Sequence, residues 1–431
     1  MTNRKSPIIL ALGGGHGQLN TLKRITERGY SLCLADFNPD CPGRMYADRF
    51  INASTFDAQG ILKGLGGLLP DGIITLGTDQ PVYTAALIAD KLDLPFYLSP
   101  DQARAVTNKR FMKPLFDSSK VPTSPWICLD RNSTAADLRN LVPPLVVKPV
   151  DSQGQRGIFF LENRSAYERY RDDSLSFSKD GYLIVEEYYP SVEVTVSGWV
   201  HRSQTEILAI SDRVTKEFRP HIGLCFAHRF PSTFAAGMID EIKKQTERVV
   251  DGFAIAEGPI YFQFLLGEEG VRVNEVACRV GGAYEEFSLP AVTGVDIIGR
   301  LIDCALDCTP DPGRSGQQNH KPTARCFSVP LMFCRPGRVA RLGNPEEVLA
   351  VPGVLSFRYL VEPGTVIGDL ENSVQRAAFL VAAGEDGAEV NRTLKEAFKR
   401  IRILDTSGEN LIRDTLRYAT LGHAPIEDCK F

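Results

Sequence analysis

The sequence predicts a multidomain α/β protein that begins with a doubly wound parallel sheet. Strand and helix patterns alternate through the first hundred residues, and pairs of antiparallel strand patterns follow them. A segment rich in proline, glycine and polar residues at 309–322 then separates a last region of short strands, turns and helices. At 431 residues the chain is too long for one ordinary core. We therefore expect three domains, at residues 1–100, 101–310 and 323–431.

The composition favours a protein that acts on small molecules. Hydrophobic residues make up 43% and charged residues 24% of the chain, which is typical of a globular protein. The formal net charge of −4 gives no general attraction for nucleic acid or an anionic membrane, so neither is an expected partner. No apolar run approaches the roughly 20 residues of a membrane span, and the run at 8–12 is too short for a secretory signal. A cytoplasmic location is the resulting expectation.

The N-terminal pattern indicates a parallel sheet with a glycine turn at its centre. Strands are predicted at residues 8–12, 32–35 and 72–76, and helices at about 18–28 and at 82–92. The glycines at 13–17 follow the first strand and open the first helix, as at an anion-binding turn. The dinucleotide spacing G-x-G-x-x-G fails, because Gln18 stands where the third glycine belongs. A tight turn lining a substrate crevice is favoured over an NAD site.

The middle region is predicted to be largely antiparallel. Its strand patterns lie at residues 144–149, 157–161, 182–187, 192–200, 207–211, 260–266 and 271–276. The polar segment 171–181 is interpreted as a surface connection, and residues 215–228 and 279–286 as loops that line a substrate pocket. In the last domain, helices are predicted from about residues 373 and 391.

Two lysines and a glycine-rich loop are suited to the phosphates of ATP. Lys148 ends an apolar strand, and Lys109 offers a second cation from an earlier segment. The loop at 151–157, DSQGQRG, carries Gly154 and Gly157, which let a hairpin tip lie over phosphate groups. Either lysine alone would more often be a solvated surface charge. Their order along the chain, together with the groups described next, favours nucleotide binding.

Acidic and aromatic residues that follow the next strand are suited to the nucleoside of ATP. The run Glu186, Glu187, Tyr188, Tyr189 ends an apolar strand, and Glu193 follows in the next. A hinge of this kind offers backbone groups to the edge of adenine and a carboxylate to the ribose hydroxyls. The alternative is a pair of exposed acids at a strand end.

A later strand pair combines groups suited to a metal ion and a phosphoryl group. Gln263 lies on one strand, and on the return strand the two-residue period places Glu275, Ala277 and Arg279 on one face. Asn274 would then point to the opposite face. A carboxylate and a guanidinium side by side suit Mg²⁺ and a transferring phosphoryl group. A cross-strand ion pair on an exposed face is the alternative.

This ordered set resembles the ATP-grasp superfamily over nearly the whole chain. The resemblance implies a pre-ATP-grasp domain, then a two-lobed ATP-grasp fold with antiparallel sheets and a lid at roughly 115–190, then a small C-terminal α+β domain. With a glutamine, Gln263, at the first metal position, the chain is similar to the carbamoyl-phosphate synthetase branch. The segment 226–232, FAHRFPS, and the run at 279–282 are similar to L-amino-acid ligases and pyrrolysine-biosynthesis ligases.

The resemblance also assigns roles to individual residues. It implies catalytic roles for Arg279 and His228 and metal binding for Gln263 and Glu275. The ATP-binding residues it implies are Lys109, Lys148, Ser152, Gln153, Gly154, Gly157, Glu186, Glu187, Tyr188, Tyr189, Glu193 and Leu265. Ala277 departs from the family, which usually has an asparagine there as a ligand, so one Mg²⁺, replaceable by Mn²⁺, is expected rather than two.

The implied activity is an ATP-dependent carboxylate–amine ligation. An acyl phosphate would form with release of ADP, and an amine would displace phosphate to give an amide or peptide bond between small molecules, with amino acids as the expected substrates. A bicarbonate-using, carboxylase-like enzyme and a catalytically idle ATP-binding regulatory protein are the alternatives. A homodimer stays open as the assembly state.

Overall fold

The computed structural model of the protein describes residues 6–307 and 324–422. The predicted linker at 309–322 lies outside these ranges. Within them, no helix combines the length and the apolar character that a membrane crossing requires.

The N-terminal part of the chain is built on a parallel sheet, as predicted, but the sheet has four strands and the one at Arg49–Asn52 was not predicted. Its elements are β1 (Ile8–Leu12), α1 (Leu19–Glu27), β2 (Ser31–Asp36), β3 (Arg49–Asn52), α2 (Ala58–Leu65), β4 (Gly72–Thr75) and α3 (Gln80–Leu92). The strand order is β3-β2-β1-β4, with every neighbouring pair parallel. From β1 the chain adds β2 and β3 on one side, and then returns to add β4 on the other side of β1. The glycine turn after β1 therefore lies at the switch point, where open α/β sheets form a ligand crevice.

Two helices lead into a small antiparallel sheet, here called the lid. The helices are α4 (Pro100–Thr107) and α5 (Lys109–Ser118), and the lid contains β5 (Trp126–Asp130), β6 (Leu145–Pro149), β7 (Phe159–Leu161), α6 (Tyr167–Leu175) and β8 (Tyr182–Glu187). The strand order is β5-β8-β6-β7. The interpretation of 171–181 as a surface connection is wrong in its first half, which belongs to α6. Because α6 buries only Tyr167 and Ser174, its sequence has no apolar stripe that would indicate a helix.

The chain then enters a large antiparallel sheet. This part contains β9 (Val192–His201), β10 (Gln204–Phe218), β11 (His221–Phe230), α7 (Ile239–Gly252), β12 (Gly258–Gly267), β13 (Gly270–Ala277), α8 (Glu285–Thr293) and α9 (Ile297–Leu306). The prediction of a loop at 215–228 is wrong, because these residues form most of the β10–β11 hairpin. Register shifts after Val214 and Lys216 interrupt the pairing, and such irregularities remove the strict alternation by which a strand is recognised in sequence.

The last part of the chain extends the same sheet. Its elements are β14 (Cys326–Met332), β15 (Gly337–Arg338), β16 (Arg341–Leu342), α10 (Pro345–Leu349), β17 (Val354–Tyr359), β18 (Val366–Ile367), β19 (Ala378–Gly384), α11 (Gly387–Phe398), β20 (Ile403–Leu404) and α12 (Leu416–Ala419). Because β11 pairs with β14, the eight strands form one sheet in the order β13-β12-β9-β10-β11-β14-β19-β17.

One of the two helices predicted in this region is absent at its expected place. From residue 373 the chain forms only a short 3₁₀ turn, Ser373–Gln375, before the fully buried strand β19. A short apolar run such as this strand does not distinguish a buried strand from a helix by periodicity alone. The other helix, expected from about residue 391, is α11, which begins four residues earlier, where the side chain of Asp386 accepts a hydrogen bond from the backbone of Glu389.

Candidate active site

Two adjoining cavities lie where the lid faces the large sheet. The first, of about 620 Å³, is lined by the lid, by the chain that follows β8 and by strands β9 to β13. The second, of about 470 Å³, extends from the glycine turn after β1 to residues 360–376 of the C-terminal region. Lys109, Gln263 and Glu275 line both cavities. These three residues therefore stand at the junction.

A buried ion network lies on the lid side of the first cavity. Glu186 of β8 forms ion pairs with Lys148 of β6 and, at 2.9 Å, with Lys113 of α5. Burial raises the pKa of Glu186, but the two lysines outweigh it and lower this pKa to about 2. Burial lowers the pKa of Lys148 to about 8 in spite of Glu186. The Glu186 carboxylate is therefore ionised, and in this structure it orients the two lysines.

A β-bulge changes which residues of β13 face the site. Gln263 pairs with Glu275, but its neighbour Phe264 pairs with Val273, so that Asn274 is an extra residue in β13. Asn274 and Glu275 both line the first cavity. The Lys148 Nζ donates a hydrogen bond to Asn274 Oδ1 at 3.2 Å. The expectation that Asn274 points to the opposite face is therefore wrong, because it assumed a regular strand.

The second lysine predicted to bind phosphate is paired with the predicted metal ligand. Lys109 Nζ lies 3.1 Å from Glu275 Oε1. Burial opposes ionisation of both groups. Their mutual attraction outweighs it, so the pKa of Lys109 is raised and that of Glu275 is lowered. Both side chains are thus held charged at the junction of the cavities.

The oxygen donors at this junction fit one magnesium ion. Glu275 offers a carboxylate, and Gln263 and Asn274 offer amide oxygens, which are the hard ligands that Mg²⁺ takes. In residues 6–307 and 324–422 no group of three or more His, Cys, Asp and Glu side chains is placed to hold a metal. A site with one carboxylate suits an ion whose remaining ligands come from water and phosphate.

The segment predicted as an adenine hinge lines the first cavity from the end of β8 onward. Glu187, Tyr188, Tyr189 and, across from them, Leu265 all border this space. The backbone amides of Glu187 and Tyr188 donate to carbonyls at Pro125 and Pro144. Any contact of these two residues with adenine would therefore use groups other than those amides.

The predicted ribose carboxylate has an arginine partner. Glu193 lines the first cavity and forms an ion pair with Arg213. Arg213 also donates to the carbonyl of Gly223 at 2.9 Å. Burial lowers the pKa of this guanidinium, but Glu193, with Cys225 and Tyr261, outweighs burial and raises it. The pair fixes the orientation of the carboxylate beside the cavity.

The glycine-rich loop is held from both sides over the second cavity. Ser152, Gln153 and Gly154 line that cavity. Gln153 Oε1 accepts a hydrogen bond from the backbone of Asp79 at 2.7 Å, and the Gly154 carbonyl accepts one from the backbone of Ser373 at 2.9 Å. The Ser152 hydroxyl is buried and makes no hydrogen bond within the described chain, which leaves it available to a ligand.

Gly157 lies apart from this group and lines neither of the two cavities. Its φ of +73° is in the left-handed region, and a Cβ there would lie 2.8 Å from Phe177 and 2.9 Å from Pro149. The structure thus places Gly157 where the chain turns out of the loop, in a conformation that L side chains rarely adopt.

Arg279 lies in the second cavity and contacts the N-terminal domain. Its Nε donates to Asp79 Oδ1 at 2.7 Å, and its guanidinium lies over the ring of Tyr261 at 4.7 Å. Sequence reasoning missed Asp79. Its position just beyond β4, at the carboxyl end of a parallel strand, is a signal that marks ligand crevices in such sheets.

His228 lies in the same cavity and is almost completely buried. Its Nδ1 is 3.1 Å from the Ser211 hydroxyl. Burial, then the charges of Arg213 and Arg376, lower the pKa of His228 to about 3. The imidazole is therefore neutral at physiological pH.

A lid over a large antiparallel sheet, preceded by a parallel sheet, is the ATP-grasp fold. Solved structures of similar fold include a ligase and a synthetase. An L-amino acid ligase from Bacillus licheniformis matches with a TM-score of 0.76 and 17% identity, over 94% of this chain and 100% of that one. A phosphoribosylglycinamide synthetase from Anaerococcus prevotii matches with a TM-score of 0.73 and 18% identity, over 93% and 100%. The recognised resemblance and the fold class are confirmed.

Three further comparisons concern a family model, a sequence relative and a solved structure with bound ligands. Residues 329–404 match the family model of the L-amino acid ligase C-terminal domain 2. The chain is 24% identical over 347 residues to the uncharacterized protein y4rH of Sinorhizobium fredii (strain NBRC 101917 / NGR234), covering 76% of this chain and 67% of that protein. The biotin carboxylase domain dimer of Hydrogenobacter thermophilus 2-oxoglutarate carboxylase, in complex with MgADP and bicarbonate, matches with a TM-score of 0.72 and 15% identity, over 96% and 93%.

Proposed function

We propose that the protein is an ATP-dependent carboxylate–amine ligase that joins small molecules, with amino acids as the expected class, through an amide or peptide bond. The observation that carries the proposal is the junction of the two cavities. There Lys109 and Glu275 form an ion pair between one space suited to a nucleotide, which Lys148 also lines, and another that contains Arg279. The match of residues 329–404 to an L-amino acid ligase domain supports the same class of reaction.

ATP would occupy the first cavity with its phosphates toward the junction. Lys109 and Lys148 would bind phosphate oxygens, and the Ser152–Gly154 part of the loop would cover them with its amides and the Ser152 hydroxyl. Glu275, Gln263 and Asn274 would hold Mg²⁺, which when bound draws phosphate oxygens together and neutralises their charge. Mn²⁺, which prefers similar oxygen ligands, would substitute for it.

The second cavity would hold the acid beside the terminal phosphate. Its carboxylate attacks the γ-phosphorus, the bond to ADP breaks, and an acyl phosphate forms. The amine then attacks the acyl carbon and loses a proton, and inorganic phosphate leaves. Arg279 would offset the charge of the transferring group, so that this chain acts mainly by positioning and electrostatics.

For His228 we propose a substrate contact. A pKa of about 3 makes the neutral imidazole a weak proton acceptor near pH 7. Its buried ring faces the second cavity, where it can donate or accept one hydrogen bond while Ser211 fixes the other nitrogen.

Release of ADP and phosphate from ATP, with Mg²⁺ and paired amino acids, tests the proposed function. Activity should require both an acid and an amine and should yield one amide per ADP, seen by mass spectrometry. Lys148→Met should abolish it, whereas Lys179→Met, an exposed lysine of the lid, is the matched control. ADP release that depends on bicarbonate instead would favour a carboxylase-like reaction. Tight ATP binding without turnover in any mixture would favour an idle regulatory protein.

The same preparation tests the assembly state. The carboxylase domain that this fold resembles is a dimer, and we propose a homodimer for this protein. Sedimentation velocity at micromolar concentration should then show twice the mass of 47.5 kDa, and a purely monomeric boundary would reject the dimer.

A further inference from the structure

Two ionisable side chains that line the second cavity lie outside its ion pairs. Three ion pairs account for the other Asp, Glu, Lys and Arg side chains that line it. They are Lys109 with Glu275, Arg279 with Asp79, and Arg213 with Glu193. Within the described ranges, Glu286 and Arg376 form no ion pair. The cavity is therefore lined by one acidic and one basic side chain that form no ion pair within the described ranges.

Glu286, at the start of α8, is a buried acid whose oxygen lacks a partner. The residue is 2% exposed, and its Oε1 makes no hydrogen bond within the described chain. Burial, with the neighbouring Glu285 and against Arg358, raises the pKa of Glu286 to about 8. The nearby Tyr284 phenol has its pKa raised to about 12 and stays neutral. Such a carboxyl group is stable in the ionised form only when a cation lies against it.

Arg376 approaches the same loop from the C-terminal region. Its Nη1 donates to the carbonyl of Gly282 at 2.9 Å, while its Nε is buried and makes no hydrogen bond within the described chain. Gly282 is four residues before Glu286 in the sequence, and Tyr284 between them feels the charge of both side chains. The two unmatched groups therefore flank one short loop.

A small zwitterion matches these two groups. A buried carboxylate without a partner is costly, and so is a buried guanidinium nitrogen without an acceptor. A primary ammonium supplies donors and positive charge for Glu286, and a carboxylate supplies paired acceptors for the fork of Arg376. A neutral ligand would leave the guanidinium without an anion, and a single ion would satisfy only one of the two groups.

We propose that the second cavity binds an α-amino-acid zwitterion, with Glu286 receiving its ammonium group and Arg376 its carboxylate. This inference rests on the proposed function and deepens it, because it names the groups that select the substrate. Arg376 lies within the region that matches the L-amino acid ligase C-terminal domain 2. The C-terminal region thus contributes directly to specificity.

Direct binding tests the proposal without any requirement for turnover. Each of the twenty standard L-amino acids is titrated calorimetrically into the full-length protein in the presence of MgADP. The best ligand is then compared with its des-amino acid and with its carboxamide. Wild-type protein should bind one or more amino acids with a Kd below about 1 mM and should bind each analogue roughly 10- to 100-fold more weakly.

Variants of Glu286 and Arg376 test which group of the ligand each side chain binds. Glu286→Gln should weaken binding of the amino acid roughly 10- to 100-fold but leave binding of the des-amino acid unchanged. Arg376→Gln should weaken binding of the amino acid by a similar factor but leave binding of the carboxamide unchanged. Arg376→Lys, which keeps the charge, should recover part of the affinity. Glu371→Gln and Arg338→Gln, at exposed positions outside both cavities, are the matched controls, and thermal melting verifies that each variant is folded.

The possible failures are distinct. The proposal is overturned if no amino acid binds, or if both analogues bind as well as the amino acid. It is also overturned if folded Glu286 and Arg376 variants bind like wild type. If only the proposed function were wrong, the result would differ: amino acids would bind in the predicted way, while no acid–amine pair would release ADP from ATP.

Discussion

Replacing Glu286 with glutamine should make the ligand-free protein more stable near neutral pH. The pKa of this carboxyl group is about 8 in the folded chain, against its usual value of 4.5. The folded state therefore binds the proton more tightly than the unfolded state, and wild-type stability falls as pH rises from 4.5 to 8. At 1.36 kcal/mol per pKa unit, the loss is about 3 kcal/mol at pH 7. Glutamine keeps the shape of the side chain and removes the ionisation.

The expected signal is an increase in Tm that depends on pH. An unfolding entropy of about 2.1 cal/mol/K per residue gives roughly 0.9 kcal/mol/K for 431 residues. A gain of about 3 kcal/mol then corresponds to roughly 3 °C at pH 7, if the chain unfolds as one unit. Scanning calorimetry from pH 4 to 8 should show this gain disappearing toward pH 4.5, where wild type is protonated in both states.

The outcome distinguishes a buried carboxyl group whose ionisation destabilises the fold from one whose ionisation does not affect stability. Glu371→Gln, at an exposed site, should change stability by less than about 0.5 kcal/mol at every pH. If Glu286→Gln were neutral or destabilising at pH 7, the carboxylate would have an unrecognised partner in the protein. The argument for a ligand cation at this position would then lose its basis.

Three further variants probe the junction and the loop. Arg279→Ala should lower ligase turnover roughly 10²- to 10³-fold, measured by ADP release on protein shown to be folded; near-full activity would reject its electrostatic role. Asn274→Ala removes the acceptor for Lys148 and should raise the KM for ATP roughly 10-fold, so unchanged ATP kinetics would argue against the role of the bulge. Gly157→Ala should destabilise by more than about 1 kcal/mol in chemical denaturation, whereas Gly408→Ala, also at positive φ but with open space around its Cβ, should cost less.

The parts of the fold that could be predicted are those where local pattern and burial agree. β1, β6 and β8 are short apolar runs bounded by turns, and each lies within two residues of its expected place. α6 was missed because it is mostly solvated, and β10 was predicted only in its middle because bulges interrupt its alternation. In each case the information that decides the structure lies in the packing of distant strands.

The same distinction holds for the site. Lys109, Lys148 and Glu275 could be predicted to lie near one another because each is at or close to the end of a recognisable element, in a fixed order along the chain. Asn274 could not, since a one-residue bulge reverses the face that regular alternation assigns to it. Asp79 and Arg376 were missed for another reason: each belongs to a loop or an element end, and only the tertiary fold brings them to one cavity. Glu286 was expected only as part of the pocket-lining segment 279–286, without a role of its own.

The glycine-rich loop is hydrogen-bonded to two segments that line the second cavity. Its Gln153 is bonded to the backbone of Asp79, whose carboxylate holds Arg279, and its Gly154 is bonded to Ser373, three residues before Arg376. Lifting the loop from the phosphates would break these bonds, each worth about 1 kcal/mol net. Because both anchors belong to segments that line the second cavity, a ligand that orders those segments also favours the closed loop. On the proposed function, occupation of the second cavity and closure of the loop over the nucleotide would therefore be coupled through Asp79 on one side and the 373–376 segment on the other.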